Sequence, residues 1–471
     1  MSGGWCGGPA EVCVRLRMRV QVRTGLALRQ LGLALRVGSL AGAVLLLTAS
    51  GPVVGLPASS QAALGAGASG GAGTVAAKQD LGAARLTISP RNGAARVRPD
   101  LGVVVAVANG TLGVVTVRSQ TGATVPGVVS ADGRSWRTRW ALAPGGSYVV
   151  RAAATGRNGT TAAASSKFTT LQAPQTIAVS DVTPNPGETV GVGMPIMVDF
   201  DRPVLNKDQV ERSLEVRSAK AVQGAWHWMS DQRAIFRTRS YWQPHQQVSL
   251  VAHLTGVQAA SGVFGTRDYT ASFRIGTANV SRVDVKTDRM VVSRDGKRAR
   301  DVGISAGRGG SWMFTTTSGV HAVMGKFNPV VMTSAWMGVT DPKDPRYYKL
   351  TVFDAVRISA TGEYVHSAPW SVWAQGHENV SHGCVNASPE FAAWFYSISQ
   401  RGDIVTVTGT DRALPWDSGY GFWQASWSQW LQGSALKHTV TTTPVPGFSM
   451  PGFGAAPSTA PSSGRAPVPR Y

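Results

Sequence analysis

Short apolar stretches separated by turn residues recur along most of this chain. Leu101–Val107 and Leu112–Val117 are rich in valine, and Asn92-Gly93 and Asp132-Gly133 are turn signals. Valine- and threonine-rich runs bounded by such turns are typical of β-strands. The pattern predicts an antiparallel β-sandwich over residues 84–172.

Two further β-rich units follow. Ile196–Phe200 and Val248–Ala252 are strand-like runs in the second unit, for which a second sandwich over residues 173–277 is predicted. No catalytic grouping of residues is evident in either sandwich, so we expect spacers or binding modules. In the third unit, residues 278–410, short strands such as Arg289–Ser293 again dominate.

The third unit also contains one well-marked helix. Ser388 is a suitable N-cap, Pro389 fits the first helical position, and Glu390 complements the positive end of the helix dipole. Four large side chains recur at i, i+3, i+4 and i+7, which predicts a buried face: Phe391, Trp394, Phe395 and Ile398. We expect Gly402 to end the helix and residues 403–407 to form a strand.

The chain ends in two segments of distinct composition. Residues 411–432 contain four tryptophans, Trp416, Trp423, Trp427 and Trp430, which we expect to pack back onto the third unit. Residues 433–471 are rich in proline, serine, alanine and glycine, and disorder is predicted for them.

The N-terminal region indicates export. Six arginines precede a short apolar run at residues 40–49, as in a signal peptide. Residues 1–56 are predicted to be a signal peptide or N-terminal membrane anchor, and residues 57–83 a flexible Ala/Gly/Ser linker. Met18 is an alternative start that would remove Cys6 and Cys13. We therefore expect a secreted or membrane-anchored protein that acts outside the cytoplasm.

The chain is strongly basic. Its 471 residues carry a formal net charge of +20, which favours anionic partners. No zinc-finger spacing, RNA-binding aromatic motif or concentrated basic helix is present, so no nucleic-acid partner is expected.

Cys384 is the candidate nucleophile, because it is the single cysteine after the apolar run. A lone thiol in an oxidising compartment favours a chemical role. His366, His377 and His382 are candidate bases, and local spacing does not decide among them. Gly383 allows a turn that directs backbone amides at an oxyanion. A zinc site made from the same residues is the alternative, although its spacing matches no usual zinc pattern.

These motifs closely resemble the L,D-transpeptidases, the YkuD catalytic family, in their type with two Ig-like domains before the catalytic domain. The residues that carry the resemblance are His366-Ser367-Ala368-Pro369-Trp370 and Ser381-His382-Gly383-Cys384-Val385-Asn386. The implied fold class is mainly β: two Ig-like β-sandwiches, then a β-rich catalytic domain with a short helix and a Trp-rich C-terminal segment.

The resemblance also implies a role for each matching position. Cys384 would be the nucleophile, His366 its base, and the carbonyl of Ser367 would orient that base. The Gly383 and Cys384 amides would form part of the oxyanion hole. Other residues would shape or line the substrate site, namely Ser381, His382, Asn386, Trp370, Met332 and Tyr348 (or Tyr347). Neither a metal nor a cofactor is expected.

Two positions depart from the family pattern. The usual Thr-Pro-x-Gly turn is Thr316-Thr317-Ser318-Gly319 here, without proline, and Met337 stands where the lid often has an aromatic residue. Both departures bear on lid geometry and substrate preference.

The implied activity is peptidoglycan L,D-transpeptidation. A tetrapeptide stem would acylate Cys384 and release D-Ala, and the amine of a second stem would then resolve the thioester into a 3→3 cross-link. Carbapenems would acylate the same thiol. Two alternatives stay open: a cysteine carboxypeptidase or endopeptidase using the same acyl-enzyme, and a non-catalytic wall-binding protein built on the Ig-like domains.

Overall fold

The computed structural model describes residues 82–444. The predicted signal or anchor lies outside the described residues, as does nearly all of the predicted linker. No helix within residues 82–444 is long and apolar enough to span a membrane.

The first β-sandwich packs a four-stranded sheet, in the order β1-β2-β5-β4, and a three-stranded sheet, β3-β6-β7, around one core. Its strands are β1 (Arg85–Ser89), β2 (Val104–Ala108), β3 (Gly110–Ser119), β4 (Gly127–Val129), β5 (Ser135–Thr138), β6 (Ser147–Gly156) and β7 (Thr161–Thr169). Val105, Val117 and Val150 are fully buried in it, as alternation along strands requires.

The second sandwich follows directly. Its elements are β8 (Gln175–Ile177), β9 (Val179–Thr183), β10 (Thr189–Val190), β11 (Ile196–Phe200), α1 (Lys207–Ser213), β12 (Leu214–Ser218), β13 (Gln223–Trp228), β14 (Arg233–Thr238), β15 (Gln246–Ala252), β16 (Gln258–Ala260), β17 (Val263–Gly265) and β18 (Tyr269–Ile275). Trp140 of the first sandwich stacks on His253 of the second, with 3.7 Å between ring centroids.

The third unit is built on a five-stranded sheet, β21-β20-β19-β29-β22, and a four-stranded sheet, β23-β26-β27-β28. Its elements are β19 (Asn279–Asp284), β20 (Arg289–Arg294), β21 (Lys297–Gly303), β22 (Gly319–Ala322), β23 (Gly325–Phe327), β24 (Val330–Thr333), β25 (Lys349–Val352), β26 (Ala355–Arg357), β27 (Tyr364–Ser367), β28 (Val385–Ala387), α2 (Pro389–Ile398) and β29 (Ile404–Thr408). The fold is thus mainly β, with few helices, as predicted.

Helix α2 begins as the sequence predicts. The Ser388 side chain accepts a hydrogen bond from the Phe391 amide at 3.2 Å, and Pro389 opens the helix. Phe391 and Phe395 are buried in the core of the third unit, together with Val365 and Val385 of the two neighbouring strands. The helix ends at Ile398, earlier than the expected Gly402, because the backbone already turns extended at Ser399.

The second sandwich and the third unit share one hydrophobic core. Ala322 and Ile404 of the third unit lie in the same buried cluster as Ile196 and Phe236 of the second sandwich. The two units can approach this closely because Gly193 has no side chain. A Cβ atom at that position would lie 2.2 Å from Ile404 Cδ1 and would clash with it. The two units are therefore packed as one body rather than tethered.

The four tryptophans of the C-terminal segment contact the second sandwich, while the residues between them contact the third unit, where packing was expected. Trp430 lies in α3 (Trp427–Gln432) and donates to the Ala225 carbonyl at 2.9 Å, and Trp423 donates to the Gly193 carbonyl at 2.8 Å. Gln424 also accepts from the Val320 amide of the third unit at 2.7 Å. The segment thus bridges both units.

The prediction of disorder from residue 433 is wrong for residues 433–444. This stretch returns to the second sandwich and adds β30 (Val440–Thr441) beside β13 and β31 (Thr443–Pro444) beside β12. Thr442 between them is buried; its Oγ1 lies 2.6 Å from the Ser218 Oγ. Backbone pairing with strands more than 200 residues earlier outweighs the polar composition. The remainder of the predicted tail lies outside the described residues.

Candidate active site

A parallel strand pair brings His366 and Cys384 to the same face of the sheet. Val365 of β27 is in register with Val385 of β28, and both valines are buried in the core. His366 follows one valine and Cys384 precedes the other. Because side chains alternate along extended backbone, His366 lies on the face opposite the core, and Cys384, which immediately precedes β28, is expected on that same face.

His366 is held in a defined tautomer. Its Nδ1 lies 2.9 Å from the Ser367 carbonyl oxygen, which can only accept, so Nδ1 carries the hydrogen. Nε2 is then the free, basic nitrogen. The side chain is 3% exposed, and burial lowers the pKa of the imidazole below its ordinary value. His366 is therefore neutral at pH 7 and able to accept a proton.

The Cys384 thiol sits in a poorly solvated position on the cavity floor. Burial raises its pKa to about 12, and the charge of Glu363 acts in the same direction. The thiol donates to the Gly362 carbonyl, with Sγ and oxygen 3.7 Å apart. At rest the sulfur is protonated, so reaction requires a base that removes the proton as the bond to carbon forms.

The turn before the nucleophile is fixed by Ser381. Its hydroxyl donates to the Cys384 carbonyl at 2.5 Å and accepts from the Gly383 amide at 3.0 Å. Gly383 adopts a φ of +128°, which strongly favours glycine. The Gly383 amide, predicted as an oxyanion donor, is thus engaged by Ser381, which leaves the Cys384 amide as the better placed of the two.

A cavity of about 520 Å³ opens above the thiol. It is lined by four of the predicted residues, Met332, Tyr348, His382 and Cys384, and by the backbone at Gly383. One wall is the hairpin of β24 and β25, which pairs Met332 with Leu350. Such a cavity has room for a short peptide segment or a small ring system.

His382 lines the cavity but is poorly placed to act as the base. Its ring stacks on Tyr348, with 4.8 Å between centroids, and its Nε2 lies 3.3 Å from Arg308 Nη1. A guanidinium only donates, so that nitrogen's lone pair is engaged. Burial and then the charge of Arg308 lower the pKa of His382. His366 is therefore favoured over His382 as the base, because its Nε2 is free and it shares a face of the sheet with Cys384.

Known protein families match two parts of the chain. Residues 94–258 match a bacterial Ig domain, and residues 278–407 match the L,D-transpeptidase catalytic domain, YkuD. The chain is 34% identical over 359 residues to L,D-transpeptidase 2 of Mycobacterium tuberculosis, an alignment that spans 76% of this chain and 86% of that protein.

This chain is a member of the L,D-transpeptidase family. Its catalytic domain is accordingly that of an acyltransferase-type enzyme, and the predicted family and fold are confirmed.

Solved structures of other L,D-transpeptidases align with about half of the chain. One is LdtMt1 in complex with imipenem, at 34% identity over 49% of this chain and 99% of that one, with a TM-score of 0.42. Another is L,D-transpeptidase 3 from Mycobacterium tuberculosis with a faropenem-derived adduct, at 32% identity over 49% and 98% of the two chains, with a TM-score of 0.41.

Three predicted substrate-contact residues of this L,D-transpeptidase lie elsewhere than expected. Ser381 and Asn386 are buried, and the Asn386 amide donates to Ser371 Oγ at 2.9 Å, so both support the site from behind. Trp370 lies beside His366, with 6.0 Å between ring centroids, and does not line the cavity. Tyr348, rather than the alternative Tyr347, faces the cavity.

Several further residues that the sequence did not indicate also line the cavity, among them Trp312, Trp336, Glu363 and Arg412. Trp336, an aromatic residue one position before Met337, donates to the Tyr348 hydroxyl at 2.6 Å. Arg412 lies over the Trp312 ring at 4.0 Å. A shift of one residue from Met337 would have identified Trp336. The Trp312–Arg412 pair joins positions 100 residues apart, so no local sequence pattern predicts it.

The zinc alternative finds no support in residues 82–444, which contain no cluster of three or more metal-ligating side chains able to hold an ion. His377 lies apart from the thiol, in the turn after Ala374, where its amide donates to the Ala374 carbonyl.

Proposed function

We propose that this L,D-transpeptidase forms 3→3 cross-links between peptidoglycan stem peptides through a thioester on Cys384. The observation that carries the proposal is the pairing of a cavity-facing thiol with a buried histidine on the adjacent strand. The free Nε2 of His366 supplies the base that the protonated thiol needs.

In the first half-reaction the thiol proton passes to His366 Nε2 as Sγ attacks the carbonyl carbon of the third stem residue. The oxyanion is stabilised by the Cys384 amide. When the carbon–nitrogen bond to D-Ala breaks, the imidazolium returns its proton to the leaving amine. The products are free D-Ala and a thioester.

In the second half-reaction the side-chain amine of another stem attacks the thioester carbon. His366 accepts a proton from that amine and delivers it to the departing sulfur, which restores the thiol. Since the thiol pKa is about 12, protonation of the departing sulfur is strongly favoured.

The same thiol is proposed to open the ring of carbapenems. Two of the related enzymes were solved with imipenem or with a faropenem-derived adduct, and the cavity above Cys384 has room for such a ring system. We further propose that the enzyme acts outside the cytoplasm, secreted or anchored through its N-terminal segment, since its substrate lies there and its net charge of +20 suits an anionic wall.

The test is mass spectrometry of a disaccharide-tetrapeptide incubated with the full-length protein or with its Cys384→Ala variant. A dimer lacking one D-Ala, absent with the variant, is the expected product. Tripeptide without dimer would instead identify a carboxypeptidase. No product from either protein, with retention on purified cell wall, would favour the wall-binding alternative.

A further inference from the structure

A buried carboxylate lies directly behind the nucleophile and takes no part in the chemistry above. Glu363 is 5% exposed and follows Gly362, whose carbonyl accepts the Cys384 thiol hydrogen bond. Its two oxygens accept from Thr317, one from the amide at 2.7 Å and one from the hydroxyl at 2.6 Å, and Oε2 lies 3.8 Å from His321 Nε2. The carboxylate thereby fastens the segment carrying Gly362 to the turn carrying Thr317.

That turn also contacts the nucleophile loop from the other side. Thr316 precedes Thr317, and its hydroxyl donates to the Gly383 carbonyl at 2.9 Å while it accepts from the Gly307 amide at 2.8 Å. On one side, therefore, the Cys384 thiol contacts the Gly362 carbonyl. On the other side, Thr316 fixes Gly383, the residue that precedes Cys384. Glu363 is the side chain that joins these two supports.

A buried histidine balances the charge. His321 is fully buried, its Nδ1 faces the Gly319 carbonyl at 3.1 Å, and its Nε2 faces the Thr317 hydroxyl at 2.8 Å. Because the Thr317 hydrogen is directed to Glu363, the Thr317 hydroxyl oxygen is left to accept from His321 Nε2. Burial alone would raise the pKa of Glu363, but the hydrogen bond and charge of His321 outweigh it and hold that pKa below the ordinary value.

Thr317 stands where the family pattern has proline. A proline has neither an amide hydrogen nor a hydroxyl, and these are the two donors that Glu363 uses. Glu363 and His321 therefore both bond to groups of Thr317 that a proline at this position would lack. The three side chains form one unit, Glu363–Thr317–His321.

We propose that Glu363 is a positioning residue for Cys384, acting through Thr317 to hold the Gly362 and Gly383 carbonyls in one frame around the nucleophile. This inference rests on the proposed thioester chemistry, because it concerns how the reacting sulfur is aimed. If these contacts weaken, the thiol remains in the site but its position relative to the substrate changes. A misplacement of about 1 Å lowers the rate on the order of a hundredfold.

The test compares Glu363→Gln, Thr317→Val and Thr317→Ser in the full-length protein. The first change turns one acceptor oxygen into a donor, the second removes only the hydroxyl, and the third keeps it. Two rates are measured at 20 °C: acylation by saturating imipenem and alkylation of Cys384 by iodoacetamide. Glu211→Gln is the matched control, because Glu211 is equally buried and accepts from Trp228 and Ser434 in the second sandwich.

We expect Glu363→Gln and Thr317→Val to lower the acylation rate about 10- to 100-fold, while Thr317→Ser and Glu211→Gln stay within about twofold. Alkylation by iodoacetamide should not fall in Glu363→Gln, because loss of the negative charge beside the thiol eases its ionisation. A structural role alone would lower acylation in proportion to the unfolded fraction and would raise alkylation, because unfolding exposes the buried thiol. The unfolded fraction of each variant is therefore measured by tryptophan fluorescence.

Acylation within twofold of wild type in both Glu363→Gln and Thr317→Val would overturn the inference, as would a loss of acylation that the measured unfolded fraction fully accounts for. Failure of the proposed function is a different result, in which wild-type protein gives neither an imipenem adduct on Cys384 nor a cross-linked dimer.

Discussion

Arg237 of the second sandwich donates to the carbonyl of Phe422, which lies beyond the catalytic domain, over a distance of 2.6 Å. The same Nη1 reaches the Ala425 carbonyl at 3.1 Å, and the guanidinium lies over the rings of three tryptophans, Trp423, Trp427 and Trp430. Arg237 is 4% exposed, and burial lowers its pKa to about 10.

Replacing Arg237 with methionine should lower the free energy of unfolding by about 3 kcal/mol, since two carbonyls lose a charged donor inside the protein. Urea unfolding followed by tryptophan fluorescence measures this. Arg239→Met, at an exposed position just after the same strand, is the control and should change stability by less than about 0.5 kcal/mol. Equal stabilities for the two variants would mean that the tryptophan segment packs without Arg237.

Thr442 should matter for stability although it lies in a polar tail. Thr442→Val removes the hydroxyl that contacts Ser218 and accepts from the Val222 amide at 2.9 Å, with an expected loss of about 2 kcal/mol. The neighbouring Thr441 is exposed, so Thr441→Val serves as the control. Thermal unfolding of both variants is the measurement, and indistinguishable midpoints would argue against a docked tail.

Asp403 should make stability depend on pH. The side chain is buried at the junction with Gly191, and its Oδ1 has no hydrogen-bond partner among the described residues. Burial raises its pKa to about 7. The folded state therefore binds more protons than the unfolded state between about pH 4 and pH 7, so this group's contribution to stability falls as pH rises through that window.

Asp403→Asn should remove that dependence, because an amide resembles the protonated acid. The unfolding free energy of the variant minus that of wild type should therefore be roughly 2 to 4 kcal/mol larger at pH 7.5 than at pH 4.5. Asp344→Asn is the control; the hydrogen bond from the Arg346 side chain lowers the pKa of Asp344 to about 2, so its contribution is constant over that range. A constant difference between Asp403→Asn and wild type at the two pH values would contradict the prediction.

The rate of acylation should be flat from pH 7 to pH 9. His366 has a lowered pKa, so the acid limb should lie below the ordinary imidazole value of 6.5. The thiol pKa of about 12 means that no preformed thiolate contributes in this range. A tenfold rise per pH unit would instead indicate attack by thiolate formed without His366.

Removal of the base tests the same assignment directly. His366→Gln should lower the acylation rate about 100- to 10,000-fold at pH 7.5, whereas His382→Gln should lower it much less, since His382 Nε2 is engaged by Arg308. Stopped-flow measurement of imipenem acylation gives both rates. A larger loss in the His382 variant would reverse the assignment of the base.

The sequence predicted those features that depend on neighbouring residues. The cap at Ser388 and the buried face of α2 follow from local spacing, and the nucleophile turn was indicated by Gly383 beside Cys384. Local spacing left the base undecided among His366, His377 and His382, because that choice depends on which strands pair. The register of β27 with β28 supplies the missing information.

Features built from distant segments were missed or misplaced. The tryptophan segment lies on the second sandwich because of Arg237, which is 185 residues away from Phe422. Strands β30 and β31 are two residues long, too short for any alternation to be visible. Glu363 gave no signal because a single acidic residue in a strand-like run is ordinarily solvated, and its partners lie in another turn.

The return of the chain to the second sandwich has a mechanical consequence. The catalytic domain leaves that sandwich after β18 and rejoins it through α3, β30 and β31, so both of its ends are fixed to the same support. Tension applied along the backbone between the first sandwich and residue 444 would be carried by the sheets of the second sandwich. The strand pair bearing His366 and Cys384 lies outside that line of force, so the distance between base and nucleophile is insulated from a pull on the chain.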